Sequence, residues 1–453
     1  MTATHSSESP LPGPSEVSRR EAFGFWLKLG FISFGGPAGQ IALMHEELVA
    51  RRRWLSERRF LHALNYCMLL PGPEAQQLAT YLGWLLHRSW GGVVAGLLFI
   101  LPSLLLLILL AWVYLVYGDV PLIAGVLYAI KPVVVIVVFQ AAWRIGGRVL
   151  RNRWLWSIAL AAFAAIFALR LPFPLIVLVA AVTGAVGGRI QPAAFDAASH
   201  ADGKVDIDTQ ALINDASVAP EHARFRLSRL FMLLAIGALL WCLPMGVLML
   251  WQGWDGPLTQ MAWFFTTAAL LTFGGAYAVL PYVYQGAVLH YGWLSPLQMI
   301  DALALGESTP GPLIMVVVFV AFLGGYQGEL VAAGQPLAGG MLAALLVCWF
   351  TFLPSFLFVL GGAPLIEATR GELRLNAALT GVSAAVVGVI VNLALFFAWH
   401  VFMPHGVSAP DWLALAIALV AAGLLFGRNW TVLQALLLSA AAGLVLGWSG
   451  LVP

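Results

Sequence analysis

The stretch VVAGLLFILPSLLLLILLAWVYLVY, residues Val93 to Tyr117, contains no charged side chain. A helix needs about 20 apolar residues to cross the roughly 30 Å hydrocarbon core of a bilayer, and this run exceeds that. It is one of many: 61% of the 453 residues are hydrophobic and only 10% are charged. Mean hydropathy is +0.90. A soluble chain of this size cannot hide so much apolar surface, so the sequence is that of a polytopic membrane protein. Backbone in lipid must pair within the structure, which leaves helices or closed barrels. Alternating segments of about ten residues, the mark of a barrel, are absent, and the expected fold is all-α. A net charge of +2 points to no nucleic acid or other polyelectrolyte partner. Cys67, Cys242 and Cys348 lie in apolar runs without metal or disulfide spacing, and read as small buried hydrophobes. GxxxxGK[ST], HExxH and CxxC are all missing, so neither ATP-driven transport, an enzyme, a metal site nor a cofactor is expected.

The chain divides into two halves. Residues 1–20 are rich in Ser and Pro, lack an apolar core, and read as a disordered cytoplasmic tail rather than a signal peptide. Residues 191–229 form the one long polar segment, with six acids and four bases, and read as a cytoplasmic linker. On either side the sequence repeats. One constant offset carries Phe34-Gly35-Gly36 onto Phe273-Gly274-Gly275 and Trp54-Leu55-Ser56 onto Trp293-Leu294-Ser295. The same offset carries Pro71-Gly72-Pro73 onto Pro310-Gly311-Pro312, and a slightly larger one carries Leu101-Pro102-Ser103 onto Leu353-Pro354-Ser355. Residues 21–190 and 230–453 are thus expected to be two copies of one transport domain.

Arginine marks the cytoplasmic side. Arg51, Arg52, Arg53, Arg58 and Arg59 share one loop of the first half, whereas the matching loop, YQGAVLHYGWLSP, has no base. Arg144, Arg148, Arg151 and Arg153 follow a later span, and the matching HVFMPHGVSAP again has none. The bias reverses at YGDVPL, whose partner EATRGELRLN carries Arg370 and Arg374. The halves are therefore expected to lie upside down to one another, as in many secondary transporters. The unmatched apolar run Leu230–Trp251 supplies the crossing that inverts the second copy.

Parity adds re-entrant segments. Both arginine clusters of the first half belong inside, yet three apolar segments lie between them, about 60–86, 93–117 and 120–143. The segment broken by Pro71-Gly72-Pro73 is the one expected to enter and leave on the same side, because proline cannot donate to the helix ladder. The same argument makes the SFGGP segment, about 22–48, a second hairpin. Each arm is about a dozen residues, roughly 18 Å. Both hairpins recur in the second half, giving nine spans and four hairpins, with the N-terminus inside and the C-terminus outside.

Broken backbone at membrane depth survives only where it is buried in protein or lines a wet cavity. Each break leaves unpaired N–H groups and the positive end of a helix dipole, a site for an anion. Four such tips meeting near the midplane are expected to hold the substrate of an alternating-access carrier. Gln40, Gln76, Gln77, Thr272, Ser308 and Thr309 lie at or beside the breaks and can donate to an oxyanion. Isolated charges in lipid are costly and usually face a cavity. Lys28, Glu74 and Glu307 near the breaks, and Lys131 in mid-span, are the candidates for charge or proton coupling. Structural roles compete with these: Glu74 can cap the following helix, and Lys131 can pair with a neighbour or snorkel. His45, Glu46 and Glu47 read first as a solvated loop end, and Arg51 to Arg53 as topology signals.

The segments FISFGGPAGQIALMHEEL, RRRWLSERRF, LNYCMLLPGPEAQQLATYLGW, LLTFGGAYAVLPYV and ALGESTPGPLI together resemble the chromate ion transporter family in its long, two-domain form. The resemblance covers the chain from about Phe23 onward. It implies proton-motive-force-driven efflux of chromate across the bacterial inner membrane, chromate resistance, and sulfate as a competitor. The family's signature falls here on Gly35, Gly36, Pro37, Gln40, Pro71, Gly72, Pro73, Glu74, Gln76 and Gln77. In the second half it falls on Phe273, Gly274, Gly275, Tyr277, Glu307, Pro310, Gly311 and Pro312. Ala276 stands where the first half has Pro37, and Thr267 where it has Lys28, so the halves are expected to share the site unequally. The residues alone indicate an oxyanion carrier, and sulfate or another tetrahedral oxyanion is the alternative cargo. A receptor working through the 191–229 linker is the rival of a different class. A homodimer is left open by the sequence.

Overall fold

The computed structural model describes residues 17–195, 211–213, 225–273, 275–328, 330–331, 334–369, 376–428 and 430–450. Most of the N-terminal tail, most of the linker, Gly274, Arg370 and Arg374 lie outside the described residues.

The first half begins with α1 (Arg19–Ile32) and α2 (Gly36–His45), which runs into a π turn at Glu46–Arg51. Then come α3 (Glu57–Leu69), α4 (Glu74–Tyr117), α5 (Pro121–Val149), α6 (Arg153–Phe167), α7 (Phe173–Ile190) and the short α8 (Pro192–Phe195). Helix α9 (Leu227–Gln252) bridges the halves. The second half contains α10 (Pro257–Leu270), a 3₁₀ turn at Ala276–Ala278, α11 (Leu280–Tyr284) and a π turn at Gln285–His290. It continues with α12 (Pro296–Ser308), α13 (Val316–Gln327), α14 (Pro336–Thr369), α15 (Asn376–Phe402), α16 (Trp412–Ala422) and α17 (Val432–Ser449). The protein is an all-α polytopic membrane protein. Among the described residues seven helices are long and apolar enough to cross a membrane, against the nine spans expected; Arg153–Phe167 and Trp412–Gly427 are apolar but shorter. Its outer faces are oily to match, with Leu250 on α9 fully 91% exposed.

The repeat is written into the local chemistry. The offset that matches the sequences also matches the π turn Glu46–Arg51 to Gln285–His290, and α3 to α12, residue for residue. Ser56 caps α3 and Ser295 caps α12, each accepting from a first-turn N–H. Asn152 and Asp411 do the same for α6 and α16. Such caps satisfy donors that a helix start leaves unpaired, each worth about 1 kcal/mol. Helix α4 is two helices laid end to end: His87 (φ −137°) and Arg88 (φ 57°) leave helical conformation between them. The kink falls where parity places the junction between a broken hairpin and a full span. In the second half the described residues between α13 and α14 are not helical.

The broken segments of the two repeats interlock at their breaks. The Gly72 N–H donates to the Thr272 carbonyl at 2.8 Å, and the Gly311 N–H donates to the Ser33 carbonyl at 2.8 Å. Each Pro-Gly-Pro thus pairs with the glycine-rich break of the other repeat, and the two bonds occupy equivalent positions. Gly72 (φ +128°) and Gly311 (φ +106°) hold backbone conformations that side chains rarely adopt. A Cβ on Gly311 would lie 2.8 Å from that of Ser103. A Cβ on Gly72 would collide with the Ser355 hydroxyl, the matching residue.

The later helices exchange partners as well. α5 packs on α16 and α17, while α15 packs on α6 and α7, and α5 and α15 touch each other. Gly125 of α5 meets Gly443 and Gly447 of α17, and Gly381 of α15 meets Gly184 of α7. Small residues let helix backbones approach closely in lipid, where no hydrophobic effect drives them together.

Candidate functional site

The interlocked breaks form one wall of a cavity of about 560 Å³. Gly35, Gly36 and Pro37 line it from the first glycine-rich break, and Gly275, Ala276 and Tyr277 line it from the second. Glu74 enters from the start of α4, Glu307 from the end of α12, and Gln140, Arg144 and Arg148 from α5. His45, Phe60 and Leu61 place its mouth beside the loop that carries Arg51 to Arg59.

The local backbone explains these positions. Gly35 (φ +89°) and Gly36 (φ +69°) turn the chain so that α2 starts at the cavity wall, with Pro37 in its first turn. The first N–H groups of a helix have no intrahelical partner, and the residues that begin α2, at the positive end of its dipole, line the cavity. Proline in the first turn suits this, since its missing N–H would be unpaired there anyway. Glu74 begins α4 directly after Pro73, and no side chain makes a capping bond at that helix start. Its carboxylate is half-buried and lines the cavity instead. Glu307 is also half-buried and accepts a hydrogen bond from the Tyr277 hydroxyl.

Arg144 and Arg148 are the cations of the site. They stand four residues apart, one helical turn, in register with Gln140. Both are exposed to the cavity space. Arg144 is the cation whose field reaches Glu307, and Arg148 the one whose field reaches Glu74. Among the described residues neither guanidinium closes a direct ion pair, so both retain donors for an anion. A guanidinium presents a planar fork that suits tetrahedral oxyanions. The cavity therefore offers two guanidinium forks, a helix N-terminus and two carboxylates, with room for a small dianion and water.

The other candidates are placed as follows. The Gln40 amide donates to the Ser33 carbonyl (3.2 Å) and the Gly311 carbonyl (2.5 Å), tying the two repeats together. Gln77 donates to the Pro71 carbonyl at 2.8 Å, and Gln76 to the Thr80 hydroxyl at 3.0 Å. Ser308 and Thr309 donate to the carbonyls of Leu305 and Gly306 within their own chain segment. Thr272 donates to Ala268. These donors hold the breaks in shape. Pro71, Gly72, Pro73, Pro310, Gly311 and Pro312 sit behind the cavity lining, in the contact between the repeats, and Phe273 packs against the hydrophobic core. Lys28 lies on the exposed side of α1, away from the lining. Lys131 forms an ion pair with Asp301 at 3.4 Å, in a separate cavity.

Sequence reasoning assigned Arg144 and Arg148 to topology alone. The spacing Gln140–Arg144–Arg148, one polar group per turn on a helix rich in valine and alanine, was the available signal. Ser103 and Ser355 were seen as repeat markers, yet their buried hydroxyls, which have no partner among the described residues, face the two Pro-Gly-Pro glycines.

The sequence model described as "Chromate transporter" matches residues 20–185 and 259–447, one block in each half, leaving the linker and α9 between them. The chromate transport protein of Pseudomonas aeruginosa is 33% identical over 455 residues, spanning 98% of this chain and 95% of its own. The chromate transport protein of Cupriavidus metallidurans is 28% identical over 400 residues, with 84% of this chain and 82% of its own. The probable chromate transport protein of Synechococcus elongatus is 28% identical over 389 residues, with 85% and 86%. No solved structure matches the chain.

Proposed function

We propose, from the premise that this chain belongs to the chromate transporter family, that it carries chromate out of the cytoplasm through the Arg144–Arg148 cavity. The single observation that supports this most is the pair of guanidinium groups facing a helix N-terminus across a cavity walled by broken backbone. Chromate is a tetrahedral dianion. Two positive forks and the unpaired N–H groups of α2 match its charge and its four oxygens.

Transport follows from the two repeats. The arginine-rich loops support a cytoplasmic cavity mouth, with the N-terminus inside and the C-terminus outside. The dianion enters, displaces water and binds Arg144 and Arg148. Rocking of one repeat against the other about the interlocked breaks then opens the opposite side. Glu74 and Glu307 face the same arginines. When ionised they compete with the dianion for these cations; when protonated they leave them to it. Binding of chromate and of protons at one set of arginines is thus linked, which couples transport to a proton gradient. Export from the cytoplasm across the inner membrane confers chromate resistance.

Everted membrane vesicles carrying the protein test this. Chromate accumulation that requires an imposed pH gradient, is reduced by sulfate and is abolished by Glu74→Gln or Glu307→Gln is the expected result. Sulfate accumulation without chromate would leave the carrier but change its cargo. No flux of either ion from folded protein would overturn the reading.

A further inference from the structure

A second polar cavity, of about 380 Å³, lies at the opposite end of α5. Its lining includes Gly118 and Asp119 of the α4–α5 turn, Tyr114 at the end of α4, Gln298 in the first turn of α12, and Lys131. Lys131 and Arg148 are 17 positions apart on α5, about 25 Å along the axis. The two cavities therefore face opposite ends of the molecule.

At the base of this cavity sits Asp301, only 1% exposed. Its Oδ2 takes the Lys131 ammonium at 3.4 Å and a hydrogen bond from the Tyr114 hydroxyl at 3.0 Å. Its Oδ1 is buried with no hydrogen-bond partner. A buried charge with an unmatched acceptor is costly, and taking a proton on Oδ1 removes that charge. The charged and titratable groups around Asp301 are Tyr114 and Asp119 from α4 and its turn, and Tyr128 and Lys131 from α5. Asp411 stands behind Tyr128, accepting its hydroxyl at 2.7 Å. Among the described residues α13, α15 and α17 add no charge to this lining.

Two features connect this cluster to the first cavity. Asp301 and Glu307 share α12, six residues or about 9 Å apart, one facing each cavity. Likewise Lys131 and Arg144 share α5. The same two helices thus carry an acid–base pair at each level, the outer one closed and the inner one without direct contact. Pro132 follows Lys131, and its missing N–H leaves the α5 ladder open at this point.

We propose that Asp301 is a second proton-binding carboxylate, loaded from the outer cavity, and that Lys131 and Tyr114 form the latch its protonation releases. This rests on the proton-driven reading above. A proton from the outer aqueous phase forms an O–H bond on Oδ1. Asp301 becomes neutral, the Lys131 ammonium loses its counter-charge, and α5 is freed to bend at Pro132 away from α12. Release of the proton to the inner cavity, by way of Glu307 on the same helix, re-forms the ion pair and closes the outer side, so the proton moves from outside to inside.

The test is chromate flux in everted vesicles, where the outer cavity faces the lumen, comparing wild type, Asp301→Asn and the double variant Asp301→Asn/Lys131→Met. The double variant removes both charges, so no unpaired buried charge prevents folding. The expected result is a loss of about tenfold or more in accumulation driven by a pH gradient, as a coupling free energy of ordinary size requires. Chromate–chromate exchange without a gradient is expected to persist in the double variant. Wild-type accumulation in that variant would overturn the proposal alone. Loss of exchange in both variants would overturn it too, making the pair structural. A wild type that ignores the gradient would overturn the proton-driven reading and the proposal together.

Discussion

The two repeats share a frame but not a chemistry. Gly72 and Gly311, Ser33 and Thr272, Ser103 and Ser355, and the glycine contacts of α5 with α17 and α15 with α7 all recur at matching positions. The charged groups do not. Glu74 of the first repeat falls opposite Leu313, and Glu307 of the second falls opposite Met68. Tyr277 answers to Ala38, and Gln40 to Val279. The Gly125-Val126 and Ala142-Trp143 pairs of α5 align with Gly381-Val382 and Ala398-Trp399 of α15, which sets Arg144 opposite His400. That histidine donates to the Phe396 carbonyl within its own helix at 2.9 Å. In the proposed function, a duplicated scaffold provides alternating geometry, while one asymmetric set of side chains provides the binding. A dianion held at a single site needs only one set of cations, and a second would slow its release.

The comparison can be broken first at the arginines. Arg144→Gln with Arg148→Gln removes two charged donors, each worth about 1.5–3 kcal/mol, and is expected to weaken chromate binding by about a hundredfold or more. The apparent KM for vesicle flux measures this, and His400→Gln in the other repeat is the control expected to change little. The second test addresses the shared frame. Gly72→Ala and Gly311→Ala each force a side chain onto positive φ and into a neighbouring serine, and both are expected to destabilise by about 1–3 kcal/mol. Thermal unfolding in detergent reads this, and a large effect at one glycine only would deny the symmetry. Third, Tyr277→Phe removes the donor to Glu307 and leaves a half-buried carboxylate short of a partner. A severalfold fall in gradient-driven flux is expected, from a net hydrogen-bond contribution of about 1 kcal/mol. The smallest effect belongs to Lys28→Gln. This exposed side chain lies off the cavity, and chromate flux is expected to stay near that of the parent protein.

Much of the frame was legible because membrane burial leaves a coarse signature. Apolar length marked the spans, Pro-Gly-Pro and SFGGP marked the breaks, and one constant offset marked the duplication. Parity placed a junction after residue 86, and the chain kinks at His87 and Arg88. The exchange of α5 and α15 between repeats was not legible, because glycine contacts such as Gly125 with Gly443 join segments far apart in sequence. At the candidate site, Glu74 and Glu307 stood out by the cost of charge in lipid and the glycine-rich tips as breaks, and all of them line the cavity. Arg144 and Arg148 were hidden by a competing explanation: arginine near a helix end already has a topological reason to be there. Gln40, Gln76 and Gln77 show the reverse, since a polar group beside a break can serve the break itself.

The most direct measurement is chromate binding to the purified protein by titration calorimetry, comparing the parent chain with Arg144→Gln/Arg148→Gln. The account predicts binding to the parent that sulfate competes away, and none detectable in the double variant at the same concentrations. Undiminished binding to a folded double variant would contradict it, because the dianion would then be held somewhere other than between these two arginines.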